Sequence, residues 1–129
     1  MTLSATQLAT ADARRVKLVK ICSSLPEVEI QTLGEHLGIR IRKKTFAYYQ
    51  FDHHGDGMIS LACKSNANEQ RRLMQSDSET FFSPAYVGSR GWIGMRLDLD
   101  EVDWETVAVL LTRAYQETAP RKLAAAIDI

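Results

Sequence analysis

Phe81-Phe82-Ser83-Pro84-Ala85-Tyr86-Val87-Gly88-Ser89-Arg90-Gly91-Trp92-Ile93-Gly94-Met95-Arg96-Leu97 is the stretch whose reading decides the fold. Seventeen residues hold four aromatics, three glycines, one proline and two arginines. Trp92 to Leu97 reads as a strand, with Trp92, Gly94 and Arg96 facing opposite to Ile93, Met95 and Leu97. Ser78 to Arg90 reads as a loop held in one shape, because large rings beside Pro and Gly suit a loop anchored on a core. Phe81 and Phe82 cannot both face water cheaply, since burying one such ring is worth about 1.5–3 kcal/mol.

Upstream of this stretch the chain alternates like a sheet. Glu27 to Leu33 is a first strand, and Gly34 to Gly38 a turn. Ile39 to Arg42 is a second strand, turning at Lys43-Lys44. Thr45 to Phe51 is a third strand, rich in rings, and Met58 to Lys64 a fourth. Consecutive strands with short turns imply an antiparallel meander. Leu18, Ile21, Cys22 and Leu25 recur at helical spacing, so a helix spans about Ala11 to Ser24, with Thr10 as N-cap and Pro26 ending it. Asn66 and Glu69 have the spacing of a capping box for a helix ending near Ser76. Asp103 caps a helix from Trp104 to Thr118, and Pro120 opens a short last one. The order α-β-β-β-β-α-β-α predicts one α+β domain over residues 1–129, with residues 1–10 flexible. An antiparallel sheet of about five strands has helices packed on one face. Trp104, Tyr115, Leu18 and Cys22 are the expected core.

The totals exclude some functions. Sixteen basic residues balance sixteen acidic ones, which argues against a dedicated, sequence-blind nucleic-acid binder. No apolar run approaches a membrane span, and Met1 to Arg15 lacks the apolar core of a secretory signal. Cys22 and Cys63 form no CxxC pair and read as buried free thiols of a reducing cytoplasm.

Several clusters invite a functional reading, each beside a plainer one. Asp52-His53-His54-Gly55-Asp56-Gly57 reads first as a hairpin turn, with a polar or metal site as alternatives. Two adjacent His on a strand end point to opposite faces, and no Glu follows at the EF-hand distance. Gly88-Ser89-Arg90-Gly91 could offer backbone N–H groups and a guanidinium to an anion, but no lysine or helix follows as in a P-loop. Arg40, Arg42, Lys43 and Lys44 sit beside Tyr49 and Phe51, the mixture nucleic-acid surfaces use. Exposed hairpins also carry such cations to block edge pairing. Arg14, Arg15, Lys17 and Lys20 read as a solvated helix face, with a nucleic-acid contact as the alternative. Glu35 and His36 are a weak acid/base candidate. GxSxG and HExxH are missing.

Taken in order, Lys44-Thr45-Phe46-Ala47-Tyr48, Ile59-Ser60-Leu61, Pro84-Ala85-Tyr86-Val87-Gly88, Gly91-Trp92-Ile93, and Leu110-Leu111 with Ala114-Tyr115 before Leu123 resemble the MmcQ/YjbR family of small bacterial proteins. Asp52 to Gly57 and Asp103-Trp104 are similar to its actinobacterial-type branch. The chain departs from many members at Leu33-Gly34-Glu35-His36-Leu37, where those carry Trp-Gly-(His)-Pro. The resemblance implies a CyaY-like sheet-and-helix fold and a DNA-binding role through two hairpin wings. The expectation is therefore a small cytoplasmic binding module without cofactor or metal, a monomer or weak dimer. It would take nucleic acid weakly and salt-sensitively, or a small anion, through Arg40, Arg42, Lys43, Lys44, His53, His54 and Arg90. The alternative is a small-molecule site or enzyme using the 52–57 turn and Arg90.

Overall fold

The computed structural model describes residues 4–52 and 57–127. Six antiparallel strands form one open sheet in the order β1-β2-β3-β4-β6-β5. They are β1 (Glu29–Leu33), β2 (His36–Ile41), β3 (Lys44–Phe51), β4 (Ile59–Cys63), β5 (Phe81–Phe82) and β6 (Ile93–Arg96). The helices are α1 (Ala5–Cys22), α2 (Ala67–Ser76), α3 (Trp104–Thr118) and α4 (Arg121–Ala125). The α+β architecture and the β1–β4 meander are as expected. The sixth strand is the two-residue β5, inside the stretch expected to be loop. Phe81 lies opposite Met95 and Phe82 opposite Gly94.

Boundaries shift for local reasons. α1 begins at Ala5, not Ala11, because Ser4 and Gln7 close a capping box that satisfies the first backbone N–H groups. The first hairpin turns on Gly34-Glu35, with Gly34 at φ 64, so His36 already belongs to β2. The second turns on Arg42-Lys43, one residue earlier than expected. Both residues are left-handed, at φ 49 and 67. Arg42 is held there by Glu27, whose two carboxylate oxygens accept from its guanidinium at 2.9 and 3.2 Å.

The two sheet faces have different covers. Ile39, Ala47, Tyr49, Leu61, Cys63, Ile93 and Met95 face α1 and α3, and all are buried. Phe46, extra at the bulge where Ile39 pairs with Ala47 and Arg40 with Thr45, meets Tyr115 edge-on at 5.7 Å. The Tyr49 hydroxyl donates to Ala11 O and that of Tyr115 to Pro26 O, tying α1 and α3 to the sheet side. Arg14 is no purely solvated cation. Its guanidinium donates to Leu97 O and Leu99 O, joining α1 to the end of β6. Leu18, Cys22 and Tyr115 are buried as expected, but Trp104 is only half-buried. It opens α3 at the rim, where Lys17 Nζ sits 5.0 Å from its ring centroid.

Cys22 and Cys63 are buried free thiols. Burial pushes both up to about 12, against an ordinary value of 9.0. The unfolded chain therefore loses these protons first, and stability should fall as pH rises from about 9 towards 12. A thiol reagent at pH 8 should leave both unmodified until denaturant unfolds the chain. Prompt labelling of the native protein would contradict this burial.

Candidate functional site

The sheet face away from α1 and α3 is covered on one side only. Register places Gly38, Tyr48, Ala62, Gly94 and Phe82 in one row across it. Towards β5 and β6, the Phe82 ring lies over Gly94 so closely that a Cβ there would be 2.6 Å from ring carbons. Trp92, buried, lies beside Tyr48 with ring centroids 5.9 Å apart and planes tilted 31°. Towards β1 and β2 no helix packs closely on the face among the described residues, and Leu33 is 41% exposed there.

The loop between β5 and β6 folds over this face and is pinned at several points. Phe81, Pro84, Gly88 and Trp92 are buried, whereas Phe82 is half-buried. Gly88 N–H donates to Pro84 O, and Val87 N–H to Ala85 O. From α2, Gln70 Nε2 donates to both Gly88 O and Trp92 O, at 2.9 and 2.7 Å. The loop is thus ordered by its anchors, as its rings and glycines predict. Tyr86 is the exception among them. It is 78% exposed and sits at φ 66, a left-handed conformation that a bulky residue rarely adopts.

Between this corner and the strands lies a pocket of about 240 Å³, lined by Leu33, His36, Tyr48, Gln50, Ala85, Tyr86 and Val87. Leu33, 41% exposed, forms an apolar wall. Tyr48 and Gln50 alternate onto this face from β3. His36 Nδ1 accepts from Phe51 N–H at 3.2 Å, which orients the ring. Few polar groups among apolar and aromatic walls are the usual make-up of a ligand site.

In two other hollows several of the polar side chains are already paired. A hollow of about 210 Å³ under α1 is lined by Asp12, Arg15, Glu35, Tyr49 and Phe51 among others. There Asp12 pairs with Arg15, and the Tyr49 hydroxyl is already bonded. The acidic corner around Asp77 and Asp98 is engaged internally. Asp77 accepts from the Thr80 hydroxyl, the chief cause of its lowered pKa, and from the Thr80 and Glu79 N–H groups, and Asp98 pairs with Arg96. Among the described residues no three of His, Cys, Asp and Glu come together as a metal-ligand set.

The candidate cations separate into groups. Arg42 and Lys43 form the turn at one end of β3, and Lys44 opens the strand there. The hydrogen bonds that Arg42 donates to Glu27, and that carboxylate's negative charge, raise the guanidinium's pKa, so this cation is already paired. Arg40 is half-buried and donates to Lys43 O, while its Nε is buried without a partner. Arg90 is exposed on the short 3₁₀ turn Gly88–Arg90, before β6. β6 begins opposite the end of β4, so Arg90 belongs to the same sheet end as Lys43 and Lys44. Asp52 follows β3 at its opposite end, about 23 Å away for an eight-residue strand, and residues 53–56 of the expected turn lie outside the described residues. Asp52 Oδ1 accepts from Gly57 N–H at 2.7 Å. His53 and His54 lie outside the described residues.

Tyr48, Gln50 and Tyr86 escape a motif search because no catalytic pattern contains them. The period-2 alternation of β3 pairs Tyr48 with Gln50, but only the folded loop brings Tyr86 to them.

Comparison with known proteins comes to the same architecture. The YjbR family model matches residues 23–117. A solved structure of Deinococcus radiodurans protein DR2400, which carries the family domain DUF419, is similar with a TM-score of 0.64 and 20% identity. The match covers 78% of this chain and 74% of that one. At that identity the likeness is one of fold. No curated protein matches the chain. The family match, running from just after α1 to the last turn of α3, puts this chain in the YjbR family.

Proposed function

We propose that this YjbR-family protein is a small binding module whose working site is the open-face pocket between the Ala85–Val87 corner and strands β1 to β3. The observation that carries this reading is Tyr86. A ring left 78% exposed gains little from burial, yet its backbone holds a conformation costing about 1–2 kcal/mol in an L-residue. Strain of this kind gathers at ligand sites, where the fold over-determines it. Tyr86→Gly should relieve it and leave the protein equally stable or up to about 1 kcal/mol more stable in urea. The same variant should lose binding of any pocket ligand. A thermal-shift screen over nucleotides, metals and metabolites finds such ligands, because binding only the folded state raises the apparent stability. If Tyr86→Gly bound every hit as the parent does, the pocket would not be the site.

A second reading, nucleic-acid binding at the hairpin end, has one observation in its favour. Lys43, Lys44 and Arg90 are exposed at one end of the sheet, and none forms an ion pair among the described residues. With Arg42 paired and no net charge, this reading entails weak, salt-sensitive binding. Labelled duplex and single-stranded DNA should then bind near 50 mM salt, a condition that strengthens phosphate contacts, and release by 200 mM. Lys43→Ala with Lys44→Ala should weaken both. Absence of binding at the lower salt removes this reading and leaves the pocket untouched.

A further inference from the structure

We propose that the open-face pocket binds a nucleobase-class ligand, an uncharged planar heterocycle presenting a hydrogen-bond donor beside an acceptor, with adenine as its type. This rests on the pocket reading above and names the chemistry the pocket selects.

Size sets the first limit. About 240 Å³ lies below the range of roughly 300–1,000 Å³ that holds drug-sized ligands, so a single fused ring system fits better than a larger molecule. Charge sets the second. None of the seven lining residues is Lys, Arg, Asp or Glu. A charged group entering the pocket would shed water without meeting a carboxylate, ammonium or guanidinium, which favours a ligand whose buried part is neutral.

Shape and hydrogen bonding narrow the class further. Tyr48 is backed by Trp92, which fixes one ring of the site, and Tyr86 stands at the rim. Aromatic rings of this kind are stacking platforms for planar bases. Leu33, Ala85 and Val87 add apolar walls. Gln50 supplies the selective element. It is half-buried, and among the described residues its side-chain amide has no hydrogen-bond partner. A free glutamine amide offers N–H and C=O side by side, the pair that meets the amino-and-ring-nitrogen edge of adenine.

The base could arrive as a free nucleoside or on a single strand, and the experiment separates these. ¹H–¹⁵N correlation spectra of the full chain are titrated with adenosine, a short oligodeoxyadenylate and an abasic strand of equal length. The expected result is saturable shifts of the Gln50 side-chain amide and of the Tyr48, Tyr86 and Val87 backbone signals with adenosine. Gln50→Leu should raise the dissociation constant about tenfold or more, since one bidentate pair is lost. Leucine fits a half-buried position that holds no bond, and a dispersed spectrum confirms the fold. Tighter, salt-dependent binding of the oligodeoxyadenylate assigns the base to a strand; equal or weaker, salt-indifferent binding assigns it to a free nucleoside.

The proposal is overturned if adenosine and the oligodeoxyadenylate cause no saturable shift up to their solubility limits. It is also overturned if the abasic strand binds as well as the adenylate strand, or if Gln50→Leu binds adenosine like the parent. Should a different screen hit shift the same signals while adenosine does not, the nucleobase class fails and the pocket stands. If no probe shifts them, both fail.

Discussion

Phe46→Ala is expected to destabilise the protein by about 3–5 kcal/mol, the range for removing a fully buried phenylalanine ring. Phe46 is completely buried, and its edge-on partner Tyr115 is equally so. Tyr115 is fixed at its far end by the bond to Pro26 O, so α3 cannot readily slide inward to fill the gap. The bulge in β3 that turns Phe46 inwards also limits collapse from the sheet side. A protein of this kind holds only about 5–15 kcal/mol in total, so the variant should show a sharply lower urea midpoint. The slope of the transition should stay the same, because the surface exposed on unfolding hardly changes. A loss below about 1 kcal/mol would mean that the ring does not bridge β3 and α3.

The second large effect is expected from Gly91→Val. Gly91 adopts φ 86, where side chains are strained, and a Cβ there would lie 2.8 Å from Ala67 N and 2.9 Å from Asn66 C. These are backbone atoms at the start of α2, not a flexible side-chain tip, so relief requires the loop or the helix to move. Strain of about 1–3 kcal/mol and overpacking of about 1–3 kcal/mol give an expected loss of about 2–6 kcal/mol. Gly34→Ala provides the control. Its φ of 64 carries the strain, but nothing lies within 4 Å, so about 1–2 kcal/mol is expected. Denaturation of both variants separates the two costs. Because Gly91 follows the turn that Gln70 holds, pushing it off α2 should also displace the Tyr86 corner and weaken ligand binding at the pocket. Equal stability of the two glycine variants would show that the contact with α2 is unimportant.

The sequence by itself determined the class of fold and most of its elements. Period-2 alternation in Ile59 to Cys63 and Ile93 to Met95, and helical spacing in α3, come from local geometry that each segment carries alone. Family membership was legible in the same way, from short motifs in order. Where signals depend on distant partners, tertiary structure decided. α1 starts at Ala5, capped by Ser4, because the capping box with Gln7 fixes the start there and not at Thr10. The turn settled on Arg42-Lys43 in a left-handed conformation that Glu27, fifteen residues away, helps hold. Phe81-Phe82 became a strand only because Met95 and Gly94 offered an edge to pair with. The site followed the same division. Arg40, Arg42, Lys43, Lys44 and Arg90 are conspicuous in the sequence by charge, yet only the fold reveals that Arg42 is paired. Tyr48 and Tyr86 stand in the sequence only as parts of family motifs and Gln50 in none, and a loop pinned by Gln70 and by the rings of Phe81 and Trp92 makes them neighbours. Side-chain chemistry is written in the chain, but convergence is not, because it depends on where a loop some forty residues away comes to rest.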